Sequence, residues 1–169
     1  MLNLLRTALI AIALSGVSMA AKAQSAQVAF GGLQHDSSLP VEVVADQLQV
    51  NQTDGSAVFT GNVVIGQGTM RLSAAEVQVE YTSAESGTAG RISRMLASGG
   101  VVLVNGGEAA EANEATYTID TGSIVMTGDV VMTQGQNALT ANRMVIDLNT
   151  GTANMEGRVR TILQSGSNN

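Results

Sequence analysis

Apolar and polar residues alternate along most of this chain with a period of two. Leu48 and Val50 sit among Gln47, Gln49 and Asn51, and Val77, Val79 and Tyr81 sit among Glu76, Gln78 and Glu80. Tyr117 and Ile119 are flanked by Thr116, Thr118 and Asp120, and Met144, Ile146 and Leu148 mostly alternate with Arg143, Asp147 and Asn149. Successive side chains of a strand point to opposite faces, so this pattern predicts β-strands with one buried and one wet face.

The alternation is itself repeated. Four segments open with a similar phrase at Ala45, Ala74, Ala112 and Ala141, and each is followed by a glycine that opens a second phrase: Gly61-Asn62-Val63, Gly100-Val101-Val102, Gly128-Asp129-Val130 and Gly157-Arg158-Val159. From alanine to glycine is 16 residues in three copies and 26 in the second, which places a ten-residue insertion within Thr82 to Met95. Three short strands per copy give roughly a dozen strands at ordinary strand lengths. The repeat also sets the phase. Val63, Val130 and Val159 share an inward face, joined two residues on by Ile65, Val104 and Met132, while Phe59, Met126 and Met155 fall in the same phase before the glycine. Asp54-Gly55, Thr121-Gly122 and Thr150-Gly151 read as hairpin turns that need a positive φ. The alanine-rich stretch with Glu108, Glu111 and Glu114 looks helical, but its place in the repeat makes it turn plus strand.

Composition narrows the function. With 2 Phe, 2 Tyr and no Trp, the core must be built from Val, Ile, Leu, Met and Ala. Residues 1–23 read as an export signal: Arg6, an uncharged run from Thr7 to Ala20, and Ala21-Lys22-Ala23 as a small-x-small site, with cleavage expected before Gln24. The run is short for a membrane span, which needs about 20 apolar residues. After cleavage six Arg face fourteen Asp and Glu with no Lys, a net charge of −8, which argues against nucleic acid as partner. Having no Cys and one His (His35), the chain can form no disulfide and no zinc site or catalytic triad of its own.

Enzyme readings fare badly. The carboxylates fall at strand-exterior or turn positions with no paired-acid arrangement. The glycines punctuate strands and form neither a GxxxxGK[ST] nor a post-strand GxGxxG phosphate loop. Arg71, Arg91, Arg94, Arg143, Arg158 and Arg160 read as solvated strand faces, with bidentate phosphate binding as the alternative. No catalytic residue, metal or cofactor is expected.

The stretch Leu39-Pro40-Val41-Glu42-Val43-Val44-Ala45-Asp46-Gln47-Leu48, followed by the phrase from Phe59-Thr60-Gly61-Asn62-Val63-Val64-Ile65 to Ser73-Ala74, resembles the OstA-like family, and the weaker repeats extend the likeness over about residues 40 to 164. The resemblance implies an all-β fold, a twisted open β-jellyroll of stacked antiparallel β-repeats, preceded by a polar linker over 24–39 and followed by a disordered tail over 165–169. It also implies a periplasmic lipopolysaccharide carrier whose apolar groove holds the lipid A acyl chains. Its partners are then an inner-membrane lipid exporter and an outer-membrane translocon, met through the jellyroll edges, and further copies of itself stacked head to tail. The expected lipid-lining residues are Val41, Val43, Phe59, Val63, Ile65, Val102, Val104, Tyr117, Ile119, Val130 and Met132. Two features depart from the family pattern: the short Gly/Ser/Ala-rich segment Ser83 to Gly90 and the scarcity of aromatics. Two alternatives stay open, a ligand-free β-repeat scaffold with a sealed core and a membrane-anchored sibling of the same pathway that keeps residues 1 to 23.

The export signal is directly testable. N-terminal sequencing of material released from the periplasm should start at Gln24, and a chain still beginning at Met1 and held in the membrane contradicts that expectation.

Overall fold

The computed structural model describes residues 25–29, 39–51, 55–82 and 90–162. The export signal, His35 and the tail over 165–169 lie outside the described residues. The described chain forms strands only: β1 (Ser25–Ala29), β2 (Glu42–Val44), β3 (Gln47–Asn51), β4 (Ser56–Gln67), β5 (Met70–Tyr81), β6 (Ile92–Asn105), β7 (Glu108–Thr118), β8 (Ser123–Gln134), β9 (Asn137–Asp147), β10 (Thr152–Glu156) and β11 (Arg160–Ile162). All belong to one antiparallel sheet in the order β1-β10-β9-β8-β7-β6-β5-β4-β2, with β3 also on β4 and β11 also on β9. The sheet is open, and the alternation and the Glu108–Glu114 stretch are strand as the sequence predicts. The hairpin glycines Gly55, Gly122 and Gly151 have φ of 68°, 61° and 64°.

Six strands, β4 to β9, are 11 to 14 residues long, so the short strands expected from the sequence are fused in pairs. The phrase-opening glycines lie inside these strands, not at their ends. The register slips between Thr60 and Val63, Ser98 and Val101, and Thr127 and Val130, where two residues on one strand oppose a single residue on the next. Such a β-bulge bends a strand, and bulges stacked across the sheet make a crease. Gly61, Gly99, Gly128 and Gly157 occupy the crease with φ between 75° and 83°. A Cβ on the first three would lie 2.5–2.6 Å from Asp46, Ala75 and Asn113 respectively, so close approach and backbone conformation both demand glycine. The residue after each also has a positive φ: Asn62 (46°), Asp129 (50°), Arg158 (48°) and, in the second copy, Gly100 (85°).

That last equivalence corrects the reading of the second copy. Its crease glycine is Gly99, not Gly100. From Gly61 to Ala74, Gly99 to Ala112 and Gly128 to Ala141 is then thirteen residues each time, and the insertion is nine residues, between Tyr81 and Ile92. Because the strand period is two, the one-residue slip exchanges the two faces of β6. Val101 and Leu103 are fully buried, whereas Val102 and Val104 stand on the outer face.

The crease divides the sheet into two half-sheets. The first holds β2, β11, the Val63–Gln67, Val101–Asn105 and Val130–Gln134 ends of β4, β6 and β8, and the Met70–Ala74, Glu108–Ala112 and Asn137–Ala141 ends of β5, β7 and β9. The second holds β3, β10, β1 and the remaining halves. There is no second layer among the described residues, yet Val77, Leu103, Ile124, Met126 and Met144 are 0% exposed. The two half-sheets therefore cover each other, and the core is the space between them.

Two other expectations change. Within the span read as a linker, Ser25–Ala29 forms β1 and pairs with β10. Leu48 and Val50 are exposed, because β3 has a neighbour only in β4 and nothing described covers its inner face.

The crease assignment predicts opposite outcomes at adjacent residues. Gly99→Ala meets the Ala75 Cβ at 2.6 Å in a left-handed conformation and should lose about 1–3 kcal/mol in urea unfolding. Gly100→Asn has open space around it and stands where another copy carries Asn62, so it should cost less than about 1 kcal/mol.

Candidate functional site

The space between the half-sheets is the one place where apolar side chains of every long strand converge. Of the expected lining residues, Val63, Ile65, Tyr117, Val130 and Met132 are buried there, and Val41, Val43, Phe59 and Ile119 are half-buried against the same cluster. Val102 and Val104 are not part of it, for the register reason above. Val101 and Leu103 take their place. The signal that finds them is the uniform thirteen-residue spacing, visible once Gly99 is counted as the crease.

The lining is soft. Six of its largest fully buried side chains are methionines: Met70, Met95, Met126, Met132, Met144 and Met155. An unbranched thioether adapts its shape to what it packs against at little rotamer cost. Next to the crease in the first half-sheet, small and larger residues alternate from strand to strand, as Val63, Ala74, Val101, Ala112, Val130 and Ala141.

Where the first half-sheet ends, at the turns through Gly68, Gly106 and Gly135, the inward face becomes polar. Gln67, Asn105 and Gln134 each lie six residues beyond a crease glycine. Gln67 and Asn105 are almost fully buried, as is Glu108, which corrects the expectation that every carboxylate lies outside. These groups satisfy one another: Thr69 Oγ1 donates to Asn105 Oδ1 at 3.1 Å, and Gln134 Nε2 donates to the Glu108 carboxylate. Gln67 Nε2 donates to the Leu39 carbonyl at 2.9 Å, and Gln67 Oε1 accepts from the Tyr117 hydroxyl at 2.9 Å. Sequence reasoning singled out none of these residues and so missed this rim.

The arginines stay outside. Arg94 pairs with Glu80 at 2.7 Å and Arg143 with Glu156 at 2.6 Å, both part-exposed and worth roughly 0–1 kcal/mol each. Arg71 Nη1 donates to the carbonyls of Gly68 and Met70 and braces that turn. Arg158 and Arg160 border a surface depression of about 270 Å³ beside Asp129 at the crease. Among the described residues no three His, Cys, Asp or Glu side chains come together as a metal site.

Burial pushes the Tyr117 phenol up to about 12. The folded chain therefore keeps that proton at pH values where an unfolded tyrosine, near 10, has lost it. Its contribution is fully present below pH 10 and disappears as pH rises toward 12, an effect of at most about 3 kcal/mol. Urea unfolding at stepped alkaline pH should show this decline, and Tyr117→Phe should flatten it.

A family model described as LptA/(LptD N-terminal domain) LPS transport protein matches residues 42–152. An uncharacterized protein of Rhizobium meliloti strain 1021 is 32% identical over 127 residues, covering 71% of this chain and 68% of that protein. Among solved structures, the fold is similar to LptH of Pseudomonas aeruginosa, described as the LptA-homologous periplasmic component of the lipopolysaccharide transport device. The TM-score is 0.67 at 17% identity, over 78% of this chain and 99% of LptH. This chain, with its creased and open antiparallel sheet, belongs to the LptA/LptD N-terminal family of lipopolysaccharide transport proteins, a family of transport proteins and not of enzymes.

Proposed function

We propose that this protein is a periplasmic carrier of lipopolysaccharide that lodges the lipid A acyl chains between its two half-sheets and passes them along the sheet. The observation that carries the reading is a methionine-rich apolar interior that runs through every long strand of a sheet with unclosed ends, in a chain of a lipopolysaccharide-transport family. Acyl chains displace the methionine side chains toward the walls, and each CH₂ they bury contributes about 0.8 kcal/mol. At that scale burial outweighs the exposed ion pairs, and a net charge of −8 after cleavage gives no long-range pull on an anionic lipid.

The ends of the sheet suit a relay. At one end Val44, Leu48 and Val50 are exposed on β2 and β3, and at the other the short β11 presents Ile162. Two different edges that meet head to tail make a heterologous contact, which extends into a file of copies. The same edges fit jellyroll partners at an inner-membrane exporter and an outer-membrane translocon, where added strand pairing gives affinity. Lipid then crosses each junction without meeting water.

Photocrosslinkers on adjacent residues of β6 test the reading. Probes at Val101 and Leu103 should capture lipopolysaccharide in cells, and probes at Val102 and Val104 should capture at least about tenfold less, because neighbouring side chains face opposite sides. Equal capture at both pairs would falsify lipid transport through the interior.

A further inference from the structure

The half-sheets are joined on one side by six continuous strands, β4 to β9, crossing the crease. On the opposite side no strand ladder joins them among the described residues, and a hydrogen bond spans the gap. Gln67 closes β4 at the rim of the first half-sheet, and Tyr117 lies one residue from the end of β7 in the second. β4 and β7 share no ladder, with β5 and β6 between them in the sheet. The Tyr117 hydroxyl nonetheless reaches Gln67 Oε1 at 2.9 Å, with both residues at most 2% exposed.

Two details make this a set piece and not a chance contact. The Leu39 carbonyl holds the Gln67 amide nitrogen at 2.9 Å, so the amide oxygen is turned toward Tyr117. The repeat copies of Tyr117 are Val50, Val79 and Ile146, none of which carries a hydroxyl. The rim copies of Gln67 bond within their own half-sheet, Asn105 with Thr69 and Gln134 with Glu108. In this copy the rim reaches across to the other half-sheet.

We infer that Gln67 and Tyr117 form the latch of the interior, and that an amphiphile enters where its polar headgroup takes over their hydrogen bonds. The inference rests on the lipid-carrier reading and names its point of entry. A buried amide and phenol cannot be left without partners at low cost. A purely apolar molecule parting the rims would strand the Tyr117 hydroxyl. A lipid whose headgroup carries hydroxyls and amides replaces each lost bond as its chains enter, so the latch selects amphiphiles with such headgroups over fatty acids or hydrocarbons. Asn105 on β6 and Gln134 on β8 continue the same polar edge at intervals of two strands, with Glu108 on β7 between them.

The absence of cysteine from the chain makes a direct test possible. The full exported protein carrying Gln67→Cys and Tyr117→Cys is prepared in two forms, bridged by a short bis-maleimide or capped singly with N-ethylmaleimide. Uptake of rough lipopolysaccharide, fluorescently labelled on its sugar, is followed in each. The bridged form should load at least about tenfold more slowly than the capped form, as expected when the competent state is withheld. Tyr117→Phe, checked for its fold by circular dichroism, should load about two- to tenfold faster than the unaltered protein, the effect of one neutral hydrogen bond. A labelled fatty acid should gain more from Tyr117→Phe than lipopolysaccharide does. Equal loading of bridged and capped forms overturns the latch while leaving the carrier reading intact. Failure of the unaltered protein to take up lipopolysaccharide at all overturns both.

Discussion

A single layer of β-sheet with one apolar face has nothing to cover that face but itself. Every other feature of this protein follows from that constraint. The sheet folds along a line of bulges, and the line exists because Gly61, Gly99, Gly128 and Gly157 recur at the same place in each repeat, each backed by the close approach of a residue on the neighbouring segment of chain. The extra residue of each bulge turns the strand without ending it, so the backbone ladders continue on both sides of the bend. The apolar face is thus folded inward without a single long loop at the crease.

The contents of the interior are set out by the same geometry. Beside the crease, valine and alanine alternate from strand to strand in the first half-sheet, and Met126, Met144 and Met155 stand beside it in the second. At the rim the apolar pattern stops and a satisfied polar edge takes over. A rigid sandwich core gains from branched residues that lock into single shapes. This interior instead concentrates side chains that repack, which suits a guest of variable length and weakens the case for a sealed scaffold.

Much of this was legible in the chain. The period of two, the four copies and the hairpin glycines at positions 55, 122 and 151 gave strands, faces and turns that the structure bears out. The misreadings share one physical origin, since sequence shows periodicity but not which of two adjacent glycines bends the strand. Choosing Gly100 over Gly99 shifted one copy by a residue and turned Val102 and Val104 inward when they face out. Leu48 and Val50 carry the alternation of a buried strand, yet burial needs an opposing wall, and none of the described residues supplies one at this end of the sheet. The rim was hidden because glutamine or asparagine before glycine is ordinary turn chemistry. Ser25–Ala29 gave too short a pattern to distinguish an added strand from a linker, since its pairing depends on a partner at the far end of the chain.

That distant pairing bears on how the protein comes to be folded. From β4 to β10 every strand pairs with the one before it, so these ladders form between close neighbours in sequence, the kind of contact that forms quickly. β1 is the exception, because Ser25 lies opposite Glu156 and its ladder exists only once β10 is in place. Among the described strands, the one that comes first in the chain therefore has to wait for β10 before it can dock. Until it does, the outer edge of β10 stays open, and the folding chain carries a free strand and a free edge at the same moment.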